Sequence, residues 1–152
     1  IEKLAKMIWR EHYTPIIGSN QVEYMLAKFQ SVAVLQEQID SGYIYFLMLY
    51  WCVPVGYLSI RKDADAIFLS KIYVLKDYRG KGIAGTAMDF VVSESKKAGL
   101  SLIRLTVNKN NTGSILAYEK MGFQNMGSVV TEIGESYVMD DFVMEKNIRQ
   151  NE

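Results

Sequence analysis

Asp77-Tyr78-Arg79-Gly80-Lys81-Gly82-Ile83-Ala84-Gly85-Thr86 lies between an apolar run, Ile67 to Leu75, and an amphipathic stretch, Gly82 to Ala98. Glycines at 80, 82 and 85 permit sharp turns and a close approach of backbone to ligand. Unpaired amides at the start of the next helix, and the positive end of its dipole, favour an anion there. Arg79 and Lys81 add charge, and Thr86 offers a hydroxyl donor. The segment reads as a phosphate-binding strand-to-helix turn. The plain alternative is a solvated loop whose glycines only cap the helix.

Working outward, Leu4, Ala5, Ile8 and Trp9 are spaced for a helix that ends near Tyr13, before the breakers Pro15 and Gly18. Asn20 and Glu23 have the spacing of a capping box, followed by the stripe Val22, Met25, Leu26 and Phe29. Val32, Leu35 and Ile39 continue helical spacing as far as Gly42. The period then changes. Tyr43 to Trp51, Val55 to Arg61 and Ile67 to Leu75 read as strands joined by turns at Val53-Pro54 and Asp63-Ala64-Asp65, an antiparallel meander. Beyond the glycine turn come a helix over Gly82 to Ala98, with Lys96 and Lys97 at its negative end, and a strand over Leu102 to Val107. That order implies a right-handed parallel crossover. A short helix, Thr112 to Met121, and two strands, Gln124 to Thr131 and Ser136 to Lys146, follow. The expected fold class is α/β: one domain with a mixed, mainly antiparallel sheet and one parallel βαβ crossover.

Composition narrows the function. Seventeen basic residues balance seventeen acidic ones, so no global field favours nucleic acid or an anionic membrane. With one cysteine, Cys52, and one histidine, His12, a metal site is not expected, and a reducing cytoplasm is the natural compartment. Ser41 to Ile60 carries no charge, but Pro54 and Gly56 interrupt it, so it reads as strands rather than a membrane span. The opening Ile1-Glu2-Lys3-Leu4 is helical rather than a leader. Cys52 reads as core packing, and His12 as structural or solvent-facing with some chance of lining a site.

Gly80, Gly82 and Gly85 also spell the dinucleotide pattern G-x-G-x-x-G. That pattern needs an acidic residue at the end of the following strand, where this chain has Arg104-Leu105-Thr106-Val107-Asn108. Nicotinamide binding fails on that context, and no Walker-type loop occurs.

Arg79 to Ala84 fits Q/R-x-x-G-x-G/A, and Asn111 to Phe123 fits N-x-x-A/S-x-x-x-Y-x-x-x-G-F. In both motifs, at this separation, the chain resembles the GCN5-related N-acetyltransferase (GNAT) superfamily, over residues 43–146 well and over the N-terminal helices more loosely. The resemblance implies acetyl-coenzyme A as co-substrate and no metal. It places the pyrophosphate on the amides of Arg79, Gly80, Lys81, Gly82, Ile83 and Ala84, with Gly85 and Thr86 completing the turn. It places the pantetheine arm along Ile72, Tyr73 and Val74, on a strand that in this family carries a bulge. Asn111 matches a cofactor-binding position, Lys120 one near the nucleotide phosphates, and Tyr118 the general acid, with Asn111, Ser114 and Tyr118 on one helix face. The Val74 amide is the expected oxyanion donor. The family's first strand has no counterpart in this sequence. Its catalytic glutamate has none either, since that strand reads Leu69-Ser70-Lys71-Ile72.

In the superfamily the N-terminal segment walls the acceptor pocket. The division implied is 1–42 as the acceptor-side helical segment, 43–123 as the cofactor core and 124–152 as a C-terminal hairpin, within one N-acetyltransferase domain. Glu11, Glu23, Glu37 and Asp40, with a loose similarity to bacterial polyamine acetyltransferases, point to a small-molecule amine such as a polyamine. Protein acetylation, a non-catalytic acetyl-coenzyme A sensor and a nucleotide-binding regulatory domain are the rival readings. Many relatives are homodimers, whereas partners among nucleic acids or membranes are not expected.

Overall fold

The structure is a computed structural model that describes residues 1–148. Four helices come first: α1 (Glu2–His12), α2 (Thr14–Ile17), α3 (Ser19–Phe29) and α4 (Val32–Asp40). Strands β1 (Tyr43–Tyr50), β2 (Val53–Lys62) and β3 (Ile67–Val74) form the expected meander. After a 3₁₀ turn, Lys76–Tyr78, come α5 (Ile83–Lys97), β4 (Leu102–Asn108), α6 (Thr112–Lys120), β5 (Gln124–Gly134) and β6 (Tyr137–Asn147). The strands form one sheet in the order β1-β2-β3-β4-β6-β5, and only the β3–β4 pair is parallel.

Each face of the sheet carries its own core. On one face Leu58, Ile60, Ile67, Leu69, Ile103 and Leu105 meet Ala87, Met88 and Val91 of α5. On the other, Tyr57 packs against Leu4, Ala5, Ile8 and Trp9 of α1 and Val22, Met25 and Leu26 of α3. Burying each of the larger aliphatic side chains stabilises the fold by about 1.5–3 kcal/mol, so the helical stripes hold α1 and α3 against the sheet.

Local readings fail at several points. The β1–β2 turn is Trp51-Cys52, both with positive φ (49° and 64°), while Val53 and Pro54 belong to β2. Pro54 is tolerated because it pairs only with edge strand β1, next to a register shift, beyond the end of β3. Cys52 is consequently exposed at a hairpin tip rather than packed in the core. The Asn20–Glu23 capping box does not form: α3 begins after Gly18 without a side-chain cap, and Glu23 pairs with Arg10 at 2.7 Å. The first helix ends at His12 with Tyr13 as its C-cap, as expected, but Pro15 then sits in the first turn of α2, where its missing N–H costs nothing. In α4 only Leu35 is buried, with Val32 and Ile39 exposed. Among the described residues no helix is long and apolar enough to cross a membrane, and no group of ligand residues is placed to hold a metal ion. Residues 149–152 of the expected C-terminal segment lie outside the described part.

Candidate active site

The parallel pair β3–β4 is in register only at Ile67–Ile103 and Phe68–Arg104. Arg104 pins this closed end, bonding Asp65 at 3.0 Å and Glu145 at 3.1 Å. Beyond it the strands part. The cause lies in β3: Ser59 of β2 faces Lys71 and Ile60 faces Leu69, so Ser70 is an extra residue, a bulge that bends the strand from its neighbour. The bond from the Leu75 amide to the Val55 carbonyl (2.8 Å) fixes the phase of the β2–β3 ladder. By strand alternation, Tyr73 exchanges bonds with β2, and the amides of Ile72 and Val74 point toward the gap.

The gap opens into a cavity of about 440 Å³. Ile72, Tyr73 and Val74 form one wall, Leu105 to Asn108 another, Asn111, Ser114 and Tyr118 of α6 a third, and Trp9, His12 and Tyr13 of the N-terminal segment close it. Arg79 and Ala84 border it from the glycine turn. Lys81, Gly82, Ile83 and Thr86 border a neighbouring cavity of about 430 Å³ between β1, β2 and α5. Gly80 and Gly85 border neither, and Lys120, in the last turn of α6, is likewise away from both cavities.

Gly80 and Gly82 hold left-handed φ angles of 77° and 78°, with Gly82 the N-cap of α5. A side chain at either position would strain the turn that aims the helix amides outward. Gly85 lies inside α5 with an ordinary helical backbone. The Thr86 hydroxyl does not face outward as expected; it donates back to the Gly82 carbonyl at 3.1 Å. The Arg79 Nε–H donates to the Val74 carbonyl at 3.0 Å, tying the glycine turn to the strand beside the gap.

Tyr118 is carried on α6, which Gly122 (φ 96°) terminates, and the next residue, Phe123, is buried with its ring 5.7 Å from the Tyr118 ring. The glycine-phenylalanine end of the second motif thus fixes the tyrosine. Burial pushes the Tyr118 hydroxyl well above its ordinary pKa, so it is a proton donor at neutral pH. Burial likewise pushes the Tyr13 hydroxyl up to about 12. Asn111 is buried at the N-cap of α6, yet its side chain makes no cap and instead lies 3.1 Å from His12 Nε2. The other ring nitrogen of His12 is 3.4 Å from Arg79 Nη1. Burial lowers the His12 pKa, which favours the neutral ring.

Asp141 escapes sequence reasoning, and His12 carries only a weak signal there. His12 joins the site although nearly a hundred residues separate it from Asn111 (99 in sequence). Asp141 of β6 lies in the cavity wall, 6 % exposed. Its only sequence signal is a charge at the next inward position of an alternating run, after Tyr137 and Met139.

The family model described as "Acetyltransferase (GNAT) family" matches residues 2–123. The chain belongs to this acetyltransferase family. An uncharacterised N-acetyltransferase of Mycobacterium tuberculosis is 33 % identical over 141 residues, covering 91 % of this chain and 83 % of the relative. L-2,4-diaminobutyric acid acetyltransferase of Streptomyces coelicolor is 27 % identical over 95 residues, half of this chain and 54 % of that protein. Among solved structures, the PaiA N-acetyltransferase of Thermoplasma acidophilum in complex with coenzyme A superposes with a TM-score of 0.79 at 22 % identity, over 96 % of this chain and 89 % of that one. A GNAT acetyltransferase of Elizabethkingia anophelis with acetyl-coenzyme A bound gives 0.64 at 16 % identity, over 78 % and 84 %. The mixed sheet with its single parallel pair is thus the GNAT fold, and the chain is an N-acetyltransferase that takes its acetyl group from acetyl-coenzyme A.

Proposed function

We propose that this GNAT enzyme acetylates a small di- or polyamine directly from acetyl-coenzyme A in the gap between β3 and β4. The observation that carries the reading is the parting of those strands beside Tyr118, with the Ile72 and Val74 amides left facing the opening. The pantetheine arm takes the place of the missing strand and pairs with those amides. The pyrophosphate lies on the turn from Arg79 to Ala84, at the positive end of α5, where Arg79 and Lys81 add charge. Asn111 borders the cofactor from the far wall.

In this arrangement one slot holds both reactants, a proximity effect worth up to roughly 7–11 kcal/mol in favourable cases. The amine nitrogen attacks the thioester carbon, and the Val74 amide stabilises the oxyanion that develops. As the carbon–sulfur bond breaks, Tyr118 donates its phenolic proton to the departing thiolate. The acceptor enters from the α1 side, where Trp9, His12 and Tyr13 cover the cavity. That cover suits a compact amine better than an extended peptide, which needs an open groove. The diamine named in the Streptomyces coelicolor relative supports the same chemical class.

Two measurements test the reading. Acetyl-coenzyme A should raise the melting temperature more than NAD or ATP at equal concentration, since a ligand selective for the native state stabilises it. Acetyl transfer should then be measured with spermidine, 2,4-diaminobutyrate, an aminoglycoside and an N-terminal peptide. Turnover of the peptide with none of the di- and polyamines rejects the acceptor assignment while leaving the cofactor site intact.

A further inference from the structure

Asp141 stands opposite Asn108 on β6, and alternation sets its side chain on the same face as Tyr137 and Met139, toward α1. It is buried and borders the cavity. Lys109, the nearest base in sequence to its partner Asn108, pairs instead with the adjacent Asp140 at 2.8 Å. Among the described residues no hydrogen bond or ion pair engages the Asp141 carboxylate itself. The titratable groups that border the cavity around it are Tyr13 and His12 from the N-terminal segment, Lys71 and Tyr73 from β3, Tyr118 from α6 and Arg79 from the glycine turn, and the Lys71 ammonium is already bonded to Gln38 and the Tyr45 hydroxyl. The phenols stay protonated and neutral, His12 favours its neutral form, and Arg79 is engaged with Val74 and His12. A buried carboxylate without a cationic partner is costly, and a protein keeps one where a ligand brings the cation.

We propose that Asp141 anchors the acceptor's ammonium group on the α1 side of the gap and then serves as the base that deprotonates it. The inference rests on the acceptor reading above and names the group that reading lacks, since the strand that carries a catalytic glutamate in other family members has Ser70 and Lys71 here. Burial, with the neighbouring Asp140 charge, pushes the Asp141 carboxyl up to about 6, against a smaller lowering by Lys109. It is therefore ionised at pH 7 yet more basic than an ordinary carboxylate. The protons balance as follows. Asp141 takes one proton from the ammonium and later releases it to solvent. The free amine attacks, the carbon–sulfur bond breaks, and Tyr118 protonates the thiolate. The second proton leaves nitrogen as the amide forms and restores the Tyr118 phenol.

The test compares wild type with D141N, using acetyl-coenzyme A and spermidine or 2,4-diaminobutyrate from pH 6 to about 9.5, near the pKa of an aliphatic amine. The variant should lose about 10²-fold or more in kcat/KM at pH 7 and recover with rising pH as free amine appears in solution, while its Kd for acetyl-coenzyme A is unchanged. Equal kcat/KM for the two proteins at pH 7, or a loss that does not narrow at high pH, overturns the proposal. If wild type binds acetyl-coenzyme A but turns over neither amine, the acceptor reading has failed instead. In that case ¹³C NMR of the labelled Asp141 carboxyl decides separately: millimolar spermidine should lower its titration midpoint, and an unmoved midpoint refutes the anchor.

Discussion

Replacing Asp141 with asparagine should make the ligand-free protein more stable. The carboxyl titrates at about 6 in the folded chain against an ordinary 3.8, so folding favours its protonated form. Above pH 6 the folded state therefore holds a charge it disfavours, and stability declines as pH climbs from about 4 to about 6 before levelling off. The interval between the two values corresponds to about 3 kcal/mol. Water in the open cavity screens part of that, leaving ~1–2 kcal/mol. Asparagine preserves the shape, carries no charge at any pH, and gives up no hydrogen bond to any of the described residues. For a chain of this size, the gain raises the melting temperature by about 3–6 °C. Thermal unfolding of both proteins without ligand, at pH 3.5 and pH 7.5, measures it. The two should melt together at the lower pH and separate at the higher one. A D141N protein that melts at or below wild type at pH 7.5 would refute the reasoning, because the carboxylate would then have a partner.

Three further outcomes follow from the same geometry. Y118F should lower kcat by about 10²-fold or more while leaving the Kd for acetyl-coenzyme A unchanged; turnover at the wild-type rate removes Tyr118 from the chemistry. A Cβ at Gly56 would lie 2.3 Å from the Tyr73 carbonyl oxygen, so G56A should displace the strand beside the gap. The expected cost is at least ~2 kcal/mol, read from the urea midpoint, along with weaker acetyl-coenzyme A binding. Lys71 donates to Gln38 Oε1 at 2.9 Å and to the Tyr45 hydroxyl at 2.7 Å, and burial pulls its ammonium down to about 8 from 10.5. The unfolded chain binds that proton more tightly, so Lys71 makes wild type gain stability between pH 8 and about 10. Urea unfolding of K71M should lack that part of the slope, and identical slopes would contradict the burial.

His12 shows how far local reasoning reaches. On α1 it offers only a polar residue at the end of an apolar stripe, compatible with solvent. Its ring lies between Asn111 and Arg79 because two cores on opposite faces of one sheet bring α1 over the end of the β3–β4 gap. The run Val55 to Arg61 reads as a strand, but Val53-Pro54 reads as a turn since proline usually leaves a sheet. Only the position of β1 at the edge, and the early end of β3, explain why Pro54 remains within it. Thr86 reads as a ligand donor because a free hydroxyl near a helix start has that use, yet the helix backbone offers it a nearer acceptor.

Local chemistry was enough to establish the order of helices and strands, the glycine-rich strand-to-helix turn from Arg79 to Ala84, and the helix that carries Asn111 and Tyr118. Periodicity, glycine placement and capping depend on neighbours a few residues away, and a chain carries that information in its own order. The Ser70 bulge, the parting of β3 from β4, the outward-facing amides and the arrival of Asp141 in the wall of the cavity that Tyr118 also lines depend on pairing between strands remote in sequence. Register and burial fix these features together, so they exist only once the sheet has closed on both of its cores.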